Sequence, residues 1–528
     1  MTMKKEAILL LAAVAFVTPA SVDAQTMATD DPVLQQIWDL AMNQSRIEPM
    51  AQALLDSIGP RLTGSPQMER AQDWAATMMS GWGYDAGLEQ YGTWEGWDRG
   101  ISHVDLIAPR VRSLEGRILA WSPGTGGRPV DGEVVALPEM AGAADFQAFL
   151  PQVEGKFVLI DFPQPTCRTN SQWQEYAMDG SFERMNEARQ AAQQAWNQSR
   201  QATGLDRREL PKALEAAGAL GIVTSTWAGS FGTNRVFNSY TRDVPTFELG
   251  CEDYGLVARL AANGQGPVLR LTAESENRGE VPVSNVIARM EGTELPDEYV
   301  ILSAHFDSWE GGSGATDNGT GSVLMMEAAR ILAEAYPNPK RTILIGLWNS
   351  EEQGLNGSHA FVEDNPDVVE GLQALFNQDN GTGRVVNMSA SGLVDASGSL
   401  MRWLARVPAE VTRHIDFQAP GTPSGGGTDH ASFICAGAPG FSLGALNWGY
   451  FDHTWHTQRD TFDKLVFDDL KNNAVLVASL AYLASEDPER VSRERRTVLP
   501  TNRFSGQQME WPACNPATRK SPDSSRMQ

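Results

Sequence analysis

The sequence predicts an α/β fold: a mixed, mainly parallel sheet sandwiched by helices, with a small β-rich module inserted. Three observations carry this. Residues 280–485 alternate strand-like and helical stretches, as a sheet covered by helices requires. Thr342 to Trp348 is apolar without polar alternation, the mark of a strand buried on both faces. Residues near 115–275 change texture, to short apolar runs parted by Gly and Pro turns.

Taken in order, residues 1–24 read as an export signal. Lys4 and Lys5 give a charged start, Ile8 to Val17 an apolar run, and Val22-Asp23-Ala24 small residues for cleavage. The run is too short to span a bilayer as a finished helix. The mature chain is expected to start near Gln25 and to be periplasmic or secreted, with no membrane-spanning segment. Residues 25–114 begin the main domain. Ile47, Met50, Leu54 and Ile58 lie at helical spacing, and Gly59-Pro60 breaks that helix. A second helix is expected from Met68 to Trp82, ending at Gly83.

Residues 115–275 form the inserted module, with strands expected at Val134–Leu137, Phe157–Ile160 and Ile222–Thr224. Inside it, 172–203 is polar, rich in Gln, Arg and Ala, and reads as a helical insertion. Residues 276–488 complete the α/β domain. Tyr299–Ala304 is a strand, and Leu324, Ala328, Ile331, Leu332 and Ala335 mark one face of a helix. Residues 489–528 are basic and irregular, with Arg490, Arg493, Arg495 and Arg496 close together; a solvated tail is expected.

The 528 residues are too many for one simple core, so more than one domain is expected. A net charge of -24 argues against nucleic acid as a partner, because phosphate binding needs clustered Lys and Arg. The four cysteines are Cys167, Cys251, Cys435 and Cys514. Export permits disulfides, and spacing leaves all three pairings open. Cys435 lies in an apolar stretch and is expected to pack as a small hydrophobe.

The chemistry concentrates in a few short stretches. His305-Phe306-Asp307 offers an imidazole and a carboxylate, and Asp317 stands on the glycine-rich turn Asp317-Asn318-Gly319-Thr320-Gly321. Glu351-Glu352, Asp379 and His456 follow downstream. Most of these come just after apolar runs, and in open α/β sheets sites gather at the carboxyl ends of strands. Zinc accepts imidazole nitrogen and carboxylate oxygen. Two zinc ions need a shared anion to sit close together, and Asp317 is the expected bridge. One ion is assigned to His305 and Asp379, the other to Glu352 and His456. Three ligand carboxylates and one hydroxide then balance two dications. Neighbouring side chains diverge, so Glu351 is left facing the reacting water as general base and later proton donor. Asp307 is expected to hydrogen-bond the far nitrogen of His305 and fix its tautomer.

Each stretch alone has a plainer reading. His-x-Asp is usually surface chemistry, Glu-Glu after a strand a helix start, and Asp-Asn-Gly a turn. Their co-occurrence in this order is what points to a metal site. His453 rivals His456, and His430 is equally well a structural residue. His103, His359 and His414 are expected on the surface or in packing.

These stretches resemble the co-catalytic zinc exopeptidases of the carboxypeptidase Q and aminopeptidase family. The matching runs add Trp348 to Gly354, Asp379-Asn380-Gly381-Thr382-Gly383-Arg384, Gly427 to Phe433, and His456 to Thr461. Gly59 to Ser65 is similar to the family's N-terminal signature. The resemblance implies a cis peptide after the bridging aspartate, here Asp317-Asn318. It implies that the inserted module is a protease-associated domain, for which 172–203 is an atypical addition. It further implies two zinc ions as cofactors, short peptides or dipeptides with a free N-terminus as substrates, and a homodimer. A glutaminyl cyclase-like single-zinc enzyme and a binding protein on a peptidase scaffold are the alternatives. The full set of ligands argues against both.

Overall fold

The computed structural model describes residues 29–502 and 505–522. The export-signal reading therefore lies outside the described residues. Within them, no helix is long and apolar enough to cross a membrane.

One sheet runs through the molecule. Its central strands, in spatial order, are Val268–Met290, Arg341–Trp348, Leu295–His305, Leu372–Asn377 and Gly440–Ala445. The last four are mutually parallel, while Val268–Met290 runs antiparallel to its neighbour. The register sets Trp348 beside His305 and Asn377 beside Ser303. Three parallel strands thus end side by side, and their downstream residues share one edge.

Alternation along each strand divides the core into two layers. Val300, Leu302 and Ala304 join Ile343, Ile345 and Phe376 under the helices Thr320–Ala335 and Phe467–Glu486. Tyr299, Ile301, Leu344 and Trp348 face the opposite layer, with Phe361 and Phe433 from the helices Asn356–Asp364 and His430–Cys435. Every residue of Arg341–Trp348 is buried, as its unbroken apolar run requires.

Helix boundaries follow local chemistry. The helical run from Ile47 ends at Ile58, where Gly59 takes φ +92°, a left-handed value that suits glycine. The next helix, Pro66–Gly81, starts with Ser65 Oγ accepting from Met68 N at 3.1 Å and proline at the first position.

A second lobe is carried on a long antiparallel ribbon. Asp85–Ala108 pairs with Val268–Met290 along nearly its whole length. One end of the ribbon flanks the central sheet. The other continues into Val130–Ala136, Phe157–Leu159, Gly221–Thr224, Thr246–Leu249 and Gly116–Ile118. This lobe also holds helices, among them Ser181–Ala202, where the polar stretch was read as helical. Only Met185 and Ser199 of that helix are buried, so its polar composition matches a helix laid on a surface.

Two expectations are corrected. Cys435 is bonded to Cys514, and Cys167 to Cys251; a thiol edge that is only half-buried met a partner distant in sequence. The described residues of the C-terminal segment, 489–502 and 505–522, are anchored to the body of the molecule rather than free. Arg493 donates to the carbonyls of Val369 and Glu370, Trp511 Nε1 to Ile434 O, and Arg519 pairs with Glu363 and Asp364. Its arginines are spent on helix-end carbonyls and surface carboxylates rather than on solvent.

Candidate metal centre

His305 is the last residue of its strand, Asp379 follows Asn377 by two, and Glu351 and Glu352 follow Trp348 by three and four. Asp317 comes from a buried turn preceding Thr320–Ala335. His456 comes from a loop after the short helical turn Tyr450–Thr454. The structure brings all six together.

The geometry is that of two half-sites sharing one residue. His305 Nε2 lies 2.8 Å from Asp379 Oδ1 and 3.3 Å from Asp317 Oδ1. His456 Nε2 lies 2.8 Å from Glu352 Oε2 and 3.3 Å from Asp317 Oδ2. Each half-site can offer its three ligand atoms within 4.8 Å of one another, as can His305, Glu351 and Glu352. The donors fit a metal. Asp317 Oδ2 and Glu352 Oε1 are buried with no hydrogen-bond partner. Buried carboxylate oxygens are rarely left that way unless a cation meets them. Imidazole nitrogen with carboxylate oxygen is the set zinc takes.

Several groups hold Asp317 in place. The peptide Asp317–Asn318 is cis. Asp460 accepts from Thr316 N at 2.8 Å and from Asp317 N at 3.0 Å. Asn318 Nδ2 donates to Gln378 O at 2.9 Å, and Gly381 N to Thr316 O at 3.1 Å, stitching the Asp317 turn to the Asp379 loop. A Cβ on Gly321 would stand 2.4 Å from Asn318 Oδ1 and Gln378 O, so glycine is required there. Arg61 is fully buried and donates to the carbonyls of Phe306, Ser313 and Gly314, pinning both ends of the loop between His305 and Asp317.

The expected contact of Asp307 is revised. His305 Nδ1 lies 3.0 Å from the Asp307 carbonyl and 3.7 Å from its carboxylate. The carboxylate is taken by Glu351 N at 3.1 Å and Glu352 N at 3.2 Å. The tautomer is thus fixed by the backbone, and the side chain anchors the Glu351–Glu352 turn. Two backbone amide donors just past the end of the neighbouring strand outcompete one imidazole.

Charge in the centre is dense and buried. Burial opposes the His305 cation, but Asp379, Glu351, Asp307 and Asp317 outweigh it and push the imidazole well above its ordinary value. Burial lowers His456. Burial also pushes Glu351 well above the carboxylate range, helped by Asp379, Glu352 and Asp429 and resisted by His305. Burial raises Asp429 and Asp460, each to about 7. The centre opens to a cleft of about 480 Å³ whose walls include Leu355, Thr428, Tyr450 and Trp455.

The second lobe reaches this centre. Val236 N donates to His456 O at 2.7 Å. The His456 ring stacks on Trp455 at 3.9 Å and meets the edge of Phe237 at 5.3 Å. His456 adopts φ 57°, a left-handed value that a non-glycine residue holds only under external constraint. His453 is engaged elsewhere, with Nδ1 2.5 Å from Ser230 Oγ of the second lobe, while His456 is the one grouped with Asp317 and Glu352. His430 is buried, and burial lowers it to about 4.

The sequence alone assigns no role to Asp460, which lies in the run His456 to Thr461, or to Arg61. The signal available for Asp460 was a carboxylate four residues after His456, a candidate ligand. Arg61 offered none beyond a charged residue in a glycine-proline break.

Residues 285–481 match the model of peptidase family M28. Carboxypeptidase Q of Rattus norvegicus is 24% identical over 479 residues, covering 89% of this chain and 92% of the relative. Carboxypeptidase Q of Xenopus laevis is 25% identical over 439 residues, covering 81% and 84%. Residues 285–481 thus carry a peptidase family M28 domain, and the chain as a whole is similar to carboxypeptidase Q. A family M28 peptidase precursor from Shewanella amazonensis shares the fold, with a TM-score of 0.63, 24% identity, and coverage of 89% of this chain and 98% of that one. A zinc aminopeptidase from Bacillus subtilis aligns with a TM-score of 0.52 at 18% identity, over 85% and 96%. The matched domain is that of a peptidase family, its fold is the mixed α/β fold of these neighbours, and its donor set fits zinc.

Proposed function

We propose that the chain is an exported two-zinc exopeptidase that removes the N-terminal residue of short peptides. One observation carries the reading: Asp317 directs one oxygen to His305 and the other to His456, each at 3.3 Å, and each histidine has its own carboxylate at 2.8 Å. His305 and Asp379 would hold one ion, Glu352 and His456 the other, and Asp317 both. A single-zinc enzyme would have no use for two such half-sites. Residues 115–275 are the protease-associated insert, and 276–488, with the N-terminal 25–114, the catalytic domain.

Zinc, when bound, supplies a Lewis acid for the scissile carbonyl and lowers the pKa of water. The chain's own residues do the rest. Glu351 takes the proton of the attacking water and delivers it to the departing nitrogen. Asp307 holds the Glu351–Glu352 turn by two backbone amides, so the base keeps its position. The carboxylates of the centre give a free α-ammonium a place to bind. The two disulfides agree with an oxidising compartment.

The test is mass spectrometry of dipeptides and longer peptides, each with free and N-acetylated termini, incubated with the zinc-loaded mature protein. Loss of residues from free N-termini alone is expected. Cleavage of acetylated peptides at internal bonds would sink the exopeptidase reading. No cleavage with both ions bound would favour a binding scaffold.

A further inference from the structure

The second lobe contains a cavity that the catalytic reading does not use. It measures about 350 Å³, within the size range of ligand pockets, and is walled in part by the helix Ser181–Ala202 through Gln193, Trp196 and Arg200. Asn238 and Tyr240 line this cavity and also a recess of about 230 Å³. That recess reaches Glu352 of the metal centre. Asn238 and Tyr240 are thus common to the recess beside the metal centre and to the cavity beside the helical insertion. Phe237 forms part of the cavity wall and also packs against His456 at 5.3 Å and Trp309 at 5.5 Å.

The lining chemistry specifies a ligand. Phe162 and Trp196 meet at 5.8 Å, and Trp227 and Tyr240 add further aromatic surface. Three arginines line the cavity, Arg200, Arg207 and Arg235, against one carboxylate, Asp161. Asp161 already accepts from Ser225 N at 2.7 Å. Arg200 stands 4.9 Å over the Trp196 ring, and Arg207 5.4 Å over Phe237. A chain of net charge -24 has thus gathered a local excess of cations in this cavity. Gln164 Oε1, in the same wall, is buried with no partner and can accept from a peptide N–H.

We propose that this cavity is a distal subsite for the carboxyl-terminal residue of substrates longer than a dipeptide. An aromatic side chain packs against Trp196, and the terminal carboxylate is held by Arg200 and Arg207. The proposal rests on the peptidase reading above. It gives the polar insertion a purpose: the helix forms one wall of the subsite.

Initial rates on Ala-Ala-Ala, Ala-Ala-Phe and Ala-Ala-Phe-amide test it, with the complete zinc-loaded protein. The kcat/KM for Ala-Ala-Phe should exceed that for each of the others by about tenfold, through KM, since a charge-assisted hydrogen bond or a buried ring is worth about that much. Trp196→Ala and Arg200→Met should each bring the affected ratio to within about twofold, the scale on which unassisted contacts act. Trp196→Phe and Arg200→Lys should restore part of it, which a misfolded lobe would not. Calorimetry with an analogue of Ala-Ala-Phe carrying a reduced first bond supplies a readout without turnover; Trp196→Ala should weaken its binding by a similar factor. Equal rates on all three peptides, or equal binding by both proteins, would overturn the subsite. Absence of hydrolysis with binding still sensitive to Trp196 would instead remove the peptidase reading and keep the subsite.

Discussion

The metal centre and the cavity of the second lobe both bury charge, and they do so in opposite ways. The centre crowds Asp317, Glu351, Glu352 and Asp379 around two histidines, and leaves Asp317 Oδ2 and Glu352 Oε1 without partners. The second lobe pairs its buried acids with arginine: Glu95 accepts from Arg242 Nη1 at 2.9 Å, and Glu248 lies 3.3 Å from Arg117. An acid cluster that leaves two buried carboxylate oxygens unpartnered fits a metal. An acid set against arginine supports a lobe that reads substrate through what charge is left over.

If the centre is catalytic as built, its most sensitive point is Glu351. Replacing it by Gln should cut kcat about 10³-fold, the scale of general acid–base catalysis, while zinc content by mass spectrometry is unchanged. Full turnover in that variant would reassign the base. Asp317→Ala is the next largest, because one residue serves both half-sites. Both ions should be lost together. Retention of one would show that the half-sites are independent. The same logic predicts that chelation lowers the melting temperature, because it uncovers buried unpartnered oxygens.

Asp460 sharpens the comparison further. Its carboxylate takes the backbone amides of Thr316 and Asp317 and touches no ligand atom, so it positions the bridge. Asp460→Asn should weaken zinc binding by about 10–100-fold, as loss of outer-shell support does, with affinity read by competition with a chelator. A change in kcat with affinity intact would make its role something other than positioning.

How much of this was legible in the sequence depends on where each residue sits. His305, Glu352 and Asp379 end or follow apolar strand runs, so period and position located them together. Asp317 and its turn were legible because glycine is forced by contact at Gly321. The Asp307 contact was not, since the choice between imidazole and backbone amides depends on a neighbouring strand's register. Nor was the cavity, whose walls at Phe162, Trp196, Trp227 and Tyr240 come from segments with no shared motif. The C-terminal segment misled for a similar reason: its arginines read as solvated until the carbonyls of Val369 and Glu370 were placed beside them.

The smallest effect lies in the second lobe and separates pairing from burial. Glu248 is 2% exposed, and burial raises it to about 7, although Arg117, Asn234 and Arg99 pull the other way. The unfolded value is 4.5, so the folded state binds this proton more tightly. Stability from Glu248 is therefore greatest at low pH, falls as pH rises from about 4.5 to about 7, and is flat above that. Glu248→Gln removes the titration. The difference in unfolding free energy between the natural protein and this variant, read from urea titrations, should shift against the natural protein across that window, by a few kcal/mol at most, while titration at the metal centre cancels. If Arg117 instead holds Glu248 ionised at every pH, the difference would not vary. The second lobe would then resemble an ordinary ion-paired surface more than a buried counterpart to the centre.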